Sequence, residues 1–180
     1  MAQADPAAEY PAVAVAMDAW MRVLGPRGER TIGAADFFVT SLTTALEEDE
    51  ILVEVGIPAL EAGTGWAFTE LSRRHGDFAM AGTAVTVRLD TAGRFADARV
   101  VVFGVEPVAT RMAAAEALLL GERPDAALHA RAGDAVRNAI ADPMADIHAS
   151  GDYRRHLAAV LTERGIAAAV ERATPQSEAS

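Results

Sequence analysis

The chain has 180 residues, 51% hydrophobic and 23% charged, which is enough apolar material for a domain with a buried core. Its net charge of −10 opposes binding to nucleic acid or to an anionic membrane surface, where Lys and Arg must meet phosphate. It has no cysteine, so disulfides, thiol chemistry and cysteine-held iron–sulfur clusters are excluded from this chain.

No apolar run reaches the roughly 18 residues of a membrane helix, and no basic-then-apolar export signal opens the sequence. A soluble, cytoplasmic protein is expected. Residues 1–9 carry no helix or strand start of their own. Residues 11–17, PAVAVAM, read as a short buried helix, with Pro11 where a missing N–H does no harm. Residues 20–24 and 30–32 flank the tight turn Gly25-Pro26-Arg27-Gly28 and predict a β-hairpin. Residues 34–38 suggest a helical turn, and 50–57 a strand stopped by Pro58.

Residues 63–73 and 78–89 read as the next two strands. In the second, Val85, Val87 and Leu89 alternate with Thr86 and Arg88. Asp90-Thr91-Ala92-Gly93 marks a hairpin turn with glycine where positive φ is needed. Residues 94–105 return as a third strand, with Ala96, Ala98, Val100 and Val102 on one face. Three helices follow: 110–120 closed by Gly121, 124–141 ended by Asp142-Pro143, and 152–173 with Tyr153, Leu157, Val160, Leu161 and Ala168 on one face. Residues 174–180 form a polar tail expected to be disordered. The sum is an α+β fold, an antiparallel three- to four-stranded sheet packed against about three C-terminal helices. The first forty residues sit outside this scheme and look like the end of another unit.

Few residues form a recognisable chemical constellation. His75, His129, His148 and His156 are scattered without metal-ligand spacing, and exposed or capping roles are expected for them. Ser41, Ser72 and Ser150 lack a nucleophile-elbow context, and there is neither GxGxxG nor GxxxxGK[ST]. Asp5 with Glu9 is either a carboxylate pair or a solvated arm. Arg73, Arg74 and Asp77 are either an ordinary surface ion network or a functional loop between two apolar strands. Arg154-Arg155, near the start of the last helix, oppose its dipole unless something acidic meets them. A solvated face is the expectation there, with an interface as the alternative. The residues alone lead to an α+β domain with a charged loop at 72–77.

That loop and its strands carry a resemblance. Gly65-Trp66-Ala67-Phe68, followed by Arg73-Arg74-His75-Gly76-Asp77-Phe78-Ala79, resembles the RxGDFA-type signature of the medium, flavin-carrying subunits of molybdenum hydroxylases. These include the flavoproteins of aerobic carbon monoxide dehydrogenases and the flavin segment of xanthine dehydrogenases. Ala4-Asp5-Pro6-Ala7-Ala8-Glu9-Tyr10-Pro11 looks like the segment that closes the family's FAD-binding domain. Gly25-Pro26 through Asp36-Phe37-Phe38, Thr44-Ala45-Leu46 with Glu50-Ile51-Leu52, and Asp152-Tyr153-Arg154-Arg155-His156-Leu157 follow in family order. The resemblance spans nearly all of residues 2–172.

The resemblance implies an FAD site. Asp5 and Glu9 would border the flavin ribityl chain, where a carboxylate accepts hydrogen bonds from hydroxyls. Arg74, Asp77 and Phe78 would lie on the loop beside the isoalloxazine ring. Phe78 would cover one ring face while the charges tune the flavin; without a flavin it would simply anchor the core at a strand start. Many relatives carry Lys in the strand before this loop, where this chain has Thr69-Glu70. The family's complete subunit is about half as long again, and its earlier part carries two glycine-rich loops for the FAD pyrophosphate. The expected division is therefore 1–40 as the tail of the FAD-binding domain and 41–173 as a C-terminal domain. The implied role is electron transfer from iron–sulfur clusters to an external acceptor. The implied partners are a large molybdenum-cofactor subunit and a small two-cluster iron–sulfur subunit. No catalytic residue and no metal ligand is expected in this chain. The alternatives are a cofactor-free assembly module and an inactive truncated product.

Overall fold

Tight turns and glycines cut the first sixty residues into short elements. The computed structural model describes residues 1–74 and 76–173; the expected disordered tail at 174–180 and His75 lie outside the described residues. Helix α1 (Glu9–Ala16) starts two residues before the expected 11–17 and buries Pro11, Ala12, Ala14, Val15 and Ala16. Strands β1 (Trp20–Gly25) and β2 (Gly28–Gly33) form the predicted hairpin, in register from Trp20↔Gly33 to Gly25↔Gly28. Gly28 closes its turn at φ +108°, a region open to glycine. Helix α2 (Ala34–Phe37) is the expected helical turn. The ladder of β3 (Phe38–Thr40) and β4 (Thr43–Thr44) was not foreseen, because two- and three-residue strands show no periodicity. Strand β5 (Ile51–Gly56) pairs antiparallel with β1, giving a three-stranded sheet of order β2-β1-β5.

The second sheet has the order β6-β7-β8-β9, from β6 (Gly65–Leu71), β7 (Ala81–Leu89), β8 (Phe95–Phe103) and β9 (Thr110–Arg111). All its neighbours are antiparallel. The predicted strand at 78–89 begins instead at Ala81, so Phe78 stands in the preceding loop rather than in the ladder. The predicted face of 94–105 also needs correction. A bulge sets Arg88 opposite Asp97 but Leu89 opposite Phe95, which leaves Ala96 exposed and puts Phe95 in the core. Thr110–Arg111, expected as helix, pair with β8, and α3 (Ala113–Leu119) starts only after them.

Helix α4 (Ala126–Ala139) is capped by Asp125, whose carboxylate accepts from the Leu128 N–H at 2.7 Å. The last helix is α5 (Gly151–Ala173). Helices α3, α4 and α5 cover one face of the second sheet, burying Val85, Val87, Val100 and Val102 with Leu119 and Ile166. On the other face, Ala84, Val101 and Phe103 share a second core with α1, the β1 hairpin and Phe37. Strands β7 and β8 are thus buried on both sides, which explains why the polar alternation shows only near the end of β7. The α+β class, the antiparallel four-stranded sheet and the three C-terminal helices match the expectation.

Candidate functional site

Three chain segments meet at the end of β8. Gly104 leaves the strand at φ +72°, and its N–H donates to the Pro6 carbonyl at 2.8 Å. That bond holds the N-terminal segment against the sheet. Ala4 is buried there, and its carbonyl accepts from the Leu42 N–H at 3.0 Å. The Asp5 carboxylate closes a turn on its own backbone, accepting from the Ala7 N–H at 2.9 Å. Local hydrogen bonding, not the helix, therefore fixes Asp5.

The second segment is the charged loop between β6 and β7. The Arg74 carbonyl accepts from the Ser72 hydroxyl at 2.8 Å and from the Asp77 N–H at 3.1 Å, and Gly76 turns at φ +87°. Arg73 Nη2 lies 3.7 Å from Asp77 Oδ2, an ion pair beyond hydrogen-bond reach. That oxygen is buried and accepts no hydrogen bond among the described residues. Phe78, 69% exposed, is not a core anchor.

The third segment joins α4 to α5. The Met144 N–H donates to Val105 at 2.7 Å, and the Asp146 carboxylate accepts from the His148 and Ala149 N–H groups at 2.8 and 2.9 Å. The His148 N–H above all, with the Ala149 N–H and the Arg154 charge, holds the Asp146 carboxyl below its usual range. Arg154, 6% exposed, lies beneath all three segments. It donates to the carbonyls of Met80 and Gly104 and to Asp146 Oδ2. Arg155 donates to the Ile140 and Ala141 carbonyls at 2.9 and 3.1 Å, tying down the end of α4. The expected solvated arginine face is therefore wrong, because acidic and carbonyl acceptors meet both side chains.

Together the segments enclose a cleft of about 450 Å³, lined by Asp5, Arg73, Asp77, Phe78, His148 and Arg154 among others. Of the five residues singled out from the sequence, Asp5, Asp77 and Phe78 come together at this cleft. Glu9 and Arg74 do not line it. Glu9 is exposed in the first turn of α1, where its charge adds to burial in pushing the Glu70 carboxyl up. Arg74 is exposed, and its backbone rather than its side chain shapes the loop. Sequence reasoning missed Met144, Asp146 and His148, which lie in a loop without a motif. The one available signal was the arginine pair at a helix start, which called for an acidic partner. His129, expected to be exposed or capping, is buried on α4 against Phe95 at a ring distance of 6.5 Å. Among the described residues no group of three or more His, Asp or Glu is arranged to hold a metal. No helix among them is long and apolar enough to cross a membrane.

Two family models match the chain, one after the other. Residues 66–169 match the CO dehydrogenase flavoprotein C-terminal domain, and residues 1–60 match the FAD binding domain in molybdopterin dehydrogenase. The chain is 37% identical over 178 residues to the 6-hydroxypseudooxynicotine dehydrogenase complex subunit alpha of Paenarthrobacter nicotinovorans, covering 99% of this chain and 60% of that protein. It is 35% identical over 170 residues to the carbon monoxide dehydrogenase medium chain of Hydrogenophaga pseudoflava, covering 94% of this chain and 58% of the relative. A solved carbon monoxide dehydrogenase from Hydrogenophaga pseudoflava, lacking the Mo-pyranopterin moiety of its cofactor, superposes with a TM-score of 0.90 at 38% identity. That match covers 95% of this chain and 59% of the other. The chain thus spans about 60% of the length of the curated relatives it matches. On this agreement of sequence, topology and structure, the chain belongs to the CO dehydrogenase flavoprotein C-terminal domain family.

Proposed function

We propose that this chain is the C-terminal part of an FAD-carrying medium subunit of a molybdenum hydroxylase of the carbon monoxide or xanthine dehydrogenase type. It would help hold FAD for electron transfer from iron–sulfur clusters to an external acceptor, as an oxidoreductase subunit. The partners would be a large molybdenum-cofactor subunit and a small two-cluster iron–sulfur subunit, with the assembly in the cytoplasm. The observation that carries this reading is the cleft itself. Its volume lies in the range of roughly 300–1,000 Å³ common for small-molecule sites. Its wall offers both a ring surface, Phe78, and a buried carboxylate oxygen with no hydrogen-bond donor among the described residues, Asp77 Oδ2. A planar flavin, apolar on its faces and hydrogen-bonding at its edge, fits that combination.

FAD bound there would supply two-electron and one-electron redox steps that no side chain of this chain can perform. Phe78 would cover a face of the ring and exclude water from it. Asp77 would accept from an N–H or hydroxyl of the cofactor, and Asp5 would border the ribityl hydroxyls. Glu9 and Arg74 would act from outside the cleft wall, through charge alone. We divide the chain at the connection after β5 rather than near residue 40, because β5 completes the sheet begun by β1. FAD titration, followed by quenching of flavin fluorescence and by the visible spectrum, tests the reading. Saturable binding below about 10 μM, roughly −7 kcal/mol, is expected. A chain that leaves flavin fluorescence unchanged would reject cofactor holding and favour the assembly module, for which capture of the two partner subunits is the next test.

A further inference from the structure

Every wall of the cleft is tied to one side chain. Arg154 Nη1 donates to the Gly104 carbonyl at 2.7 Å and to the Met80 carbonyl, and Nη2 donates to Asp146 Oδ2 at 2.6 Å. Met80 follows directly on Asp77, Phe78 and Ala79, and its own N–H is held by Leu71 at 2.8 Å. Gly104 grips Pro6, the neighbour of Asp5. Asp146 holds the backbone of His148 and Ala149. The guanidinium is a rigid planar fork with five N–H groups, so these acceptors are met in fixed relative directions. A buried cation also needs its anionic partner, which makes Asp146 part of the same unit rather than an optional neighbour.

We propose that Arg154, held by Asp146, is the positioning residue of the cleft. It sets the loop bearing Asp77 and Phe78, the Asp5 segment and the 144–149 loop at one mutual spacing. This goes beyond the flavin reading, on which its functional half rests. The mechanical half is a coupling: loosening one wall loosens the other two. Asp146→Asn is the informative variant. Asp146 makes no hydrogen bond to the 76–80 loop or to Pro6 among the described residues, and asparagine can still accept from the His148 N–H.

The experiment is amide hydrogen exchange on the full chain, wild type, Asp146→Asn and Arg154→Lys, with parallel FAD titration. Exchange at residues 76–81 and at Gly104 is expected to rise by about tenfold in both variants, together with 146–149, while the β2-β1-β5 sheet is unchanged. FAD affinity is expected to fall by about tenfold, with an altered flavin absorption band. Faster exchange confined to 146–149 in Asp146→Asn would overturn the coupling. Coupled loosening with unchanged affinity and spectrum would overturn the positioning role and leave a purely structural arginine. If Arg154→Lys does not fold, Asp146→Asn decides alone. A wild-type chain that binds no FAD would reject the flavin reading, and the exchange pattern would then decide the role of Arg154 by itself.

Discussion

Gly65 and Ala169 touch backbone to backbone: a Cβ at position 65 would fall well inside contact distance of the Ala169 carbonyl oxygen. Strand β6 and helix α5 can approach this closely only because position 65 has no side chain. Gly82 is also crowded, but there the obstacle is the Phe103 ring. Phe103 is fully buried and stacks on Phe68 at 5.3 Å.

Both glycines should therefore resist substitution, in a definite order. Gly82→Ala should cost about 1–3 kcal/mol through overpacking, since a ring can tilt. Gly65→Ala should cost more, because helix backbone cannot yield without moving α5. Urea denaturation of both variants checks the ranking, and a milder Gly65→Ala would contradict it.

Phe78→Ala separates function from stability. At 69% exposure its loss should change stability by less than about 0.5 kcal/mol. Under the flavin reading it should weaken FAD binding about two- to tenfold, the equivalent of about 0.5–1.5 kcal/mol of aromatic stacking. Titration and thermal melting of the same sample give both numbers.

Acid should act on this fold in two stages. Burial of His129 lowers its pKa from 6.5, against the opposing charges of Asp125 and Glu163, and its Nε2 is buried without a hydrogen-bond partner among the described residues. The unfolded chain therefore takes up a proton near pH 6.5 before the folded one does. Stability is full above that pH and falls as pH drops from 6.5 towards the lowered folded value. Glu50 follows at lower pH. Arg30 first, then the Glu47 N–H, hold its carboxyl at about 2, so its contribution is present above 4.5 and lost as pH falls through 2. Asp146 adds to this lower stage. Stability measured against pH should lose the upper step, and keep the lower, in His129→Phe.

Arg172 sits 4.2 Å from the centre of the half-exposed Trp66 ring and donates to the Trp66 carbonyl. Arg172→Gln should cost about 0.5–1 kcal/mol, the usual range for an exposed cation–π pair. It should also shift tryptophan emission to the red. A double-mutant cycle with Trp66→Leu measures the coupling.

The order of elements could be read from the chain because each has a local cause. The Gly25-Pro26-Arg27-Gly28 turn dictates a hairpin, Asp90 through Gly93 another, Gly121 closes α3, and β-branched alternation marks β7, whereas α4 ends at Ala139, ahead of the Asp142-Pro143 stop. Asp77 is legible because charge between apolar strands is costly without a use, whereas Phe78 is marked only by the family resemblance. What the sequence could not show depends on which segments meet. Phe95 replaces Ala96 in the core because of a one-residue bulge set by pairing with β7, not by propensity. Strand β5 joins β1 from across a gap of 25 residues between Gly25 and Ile51, a non-local pairing that leaves no periodic trace. Arg154 looked like a solvated charge because its acceptors come from positions 80, 104 and 146. Carbonyls become available to a distant guanidinium only where strands end and loops converge, so tertiary packing alone made that arginine the centre of the cleft.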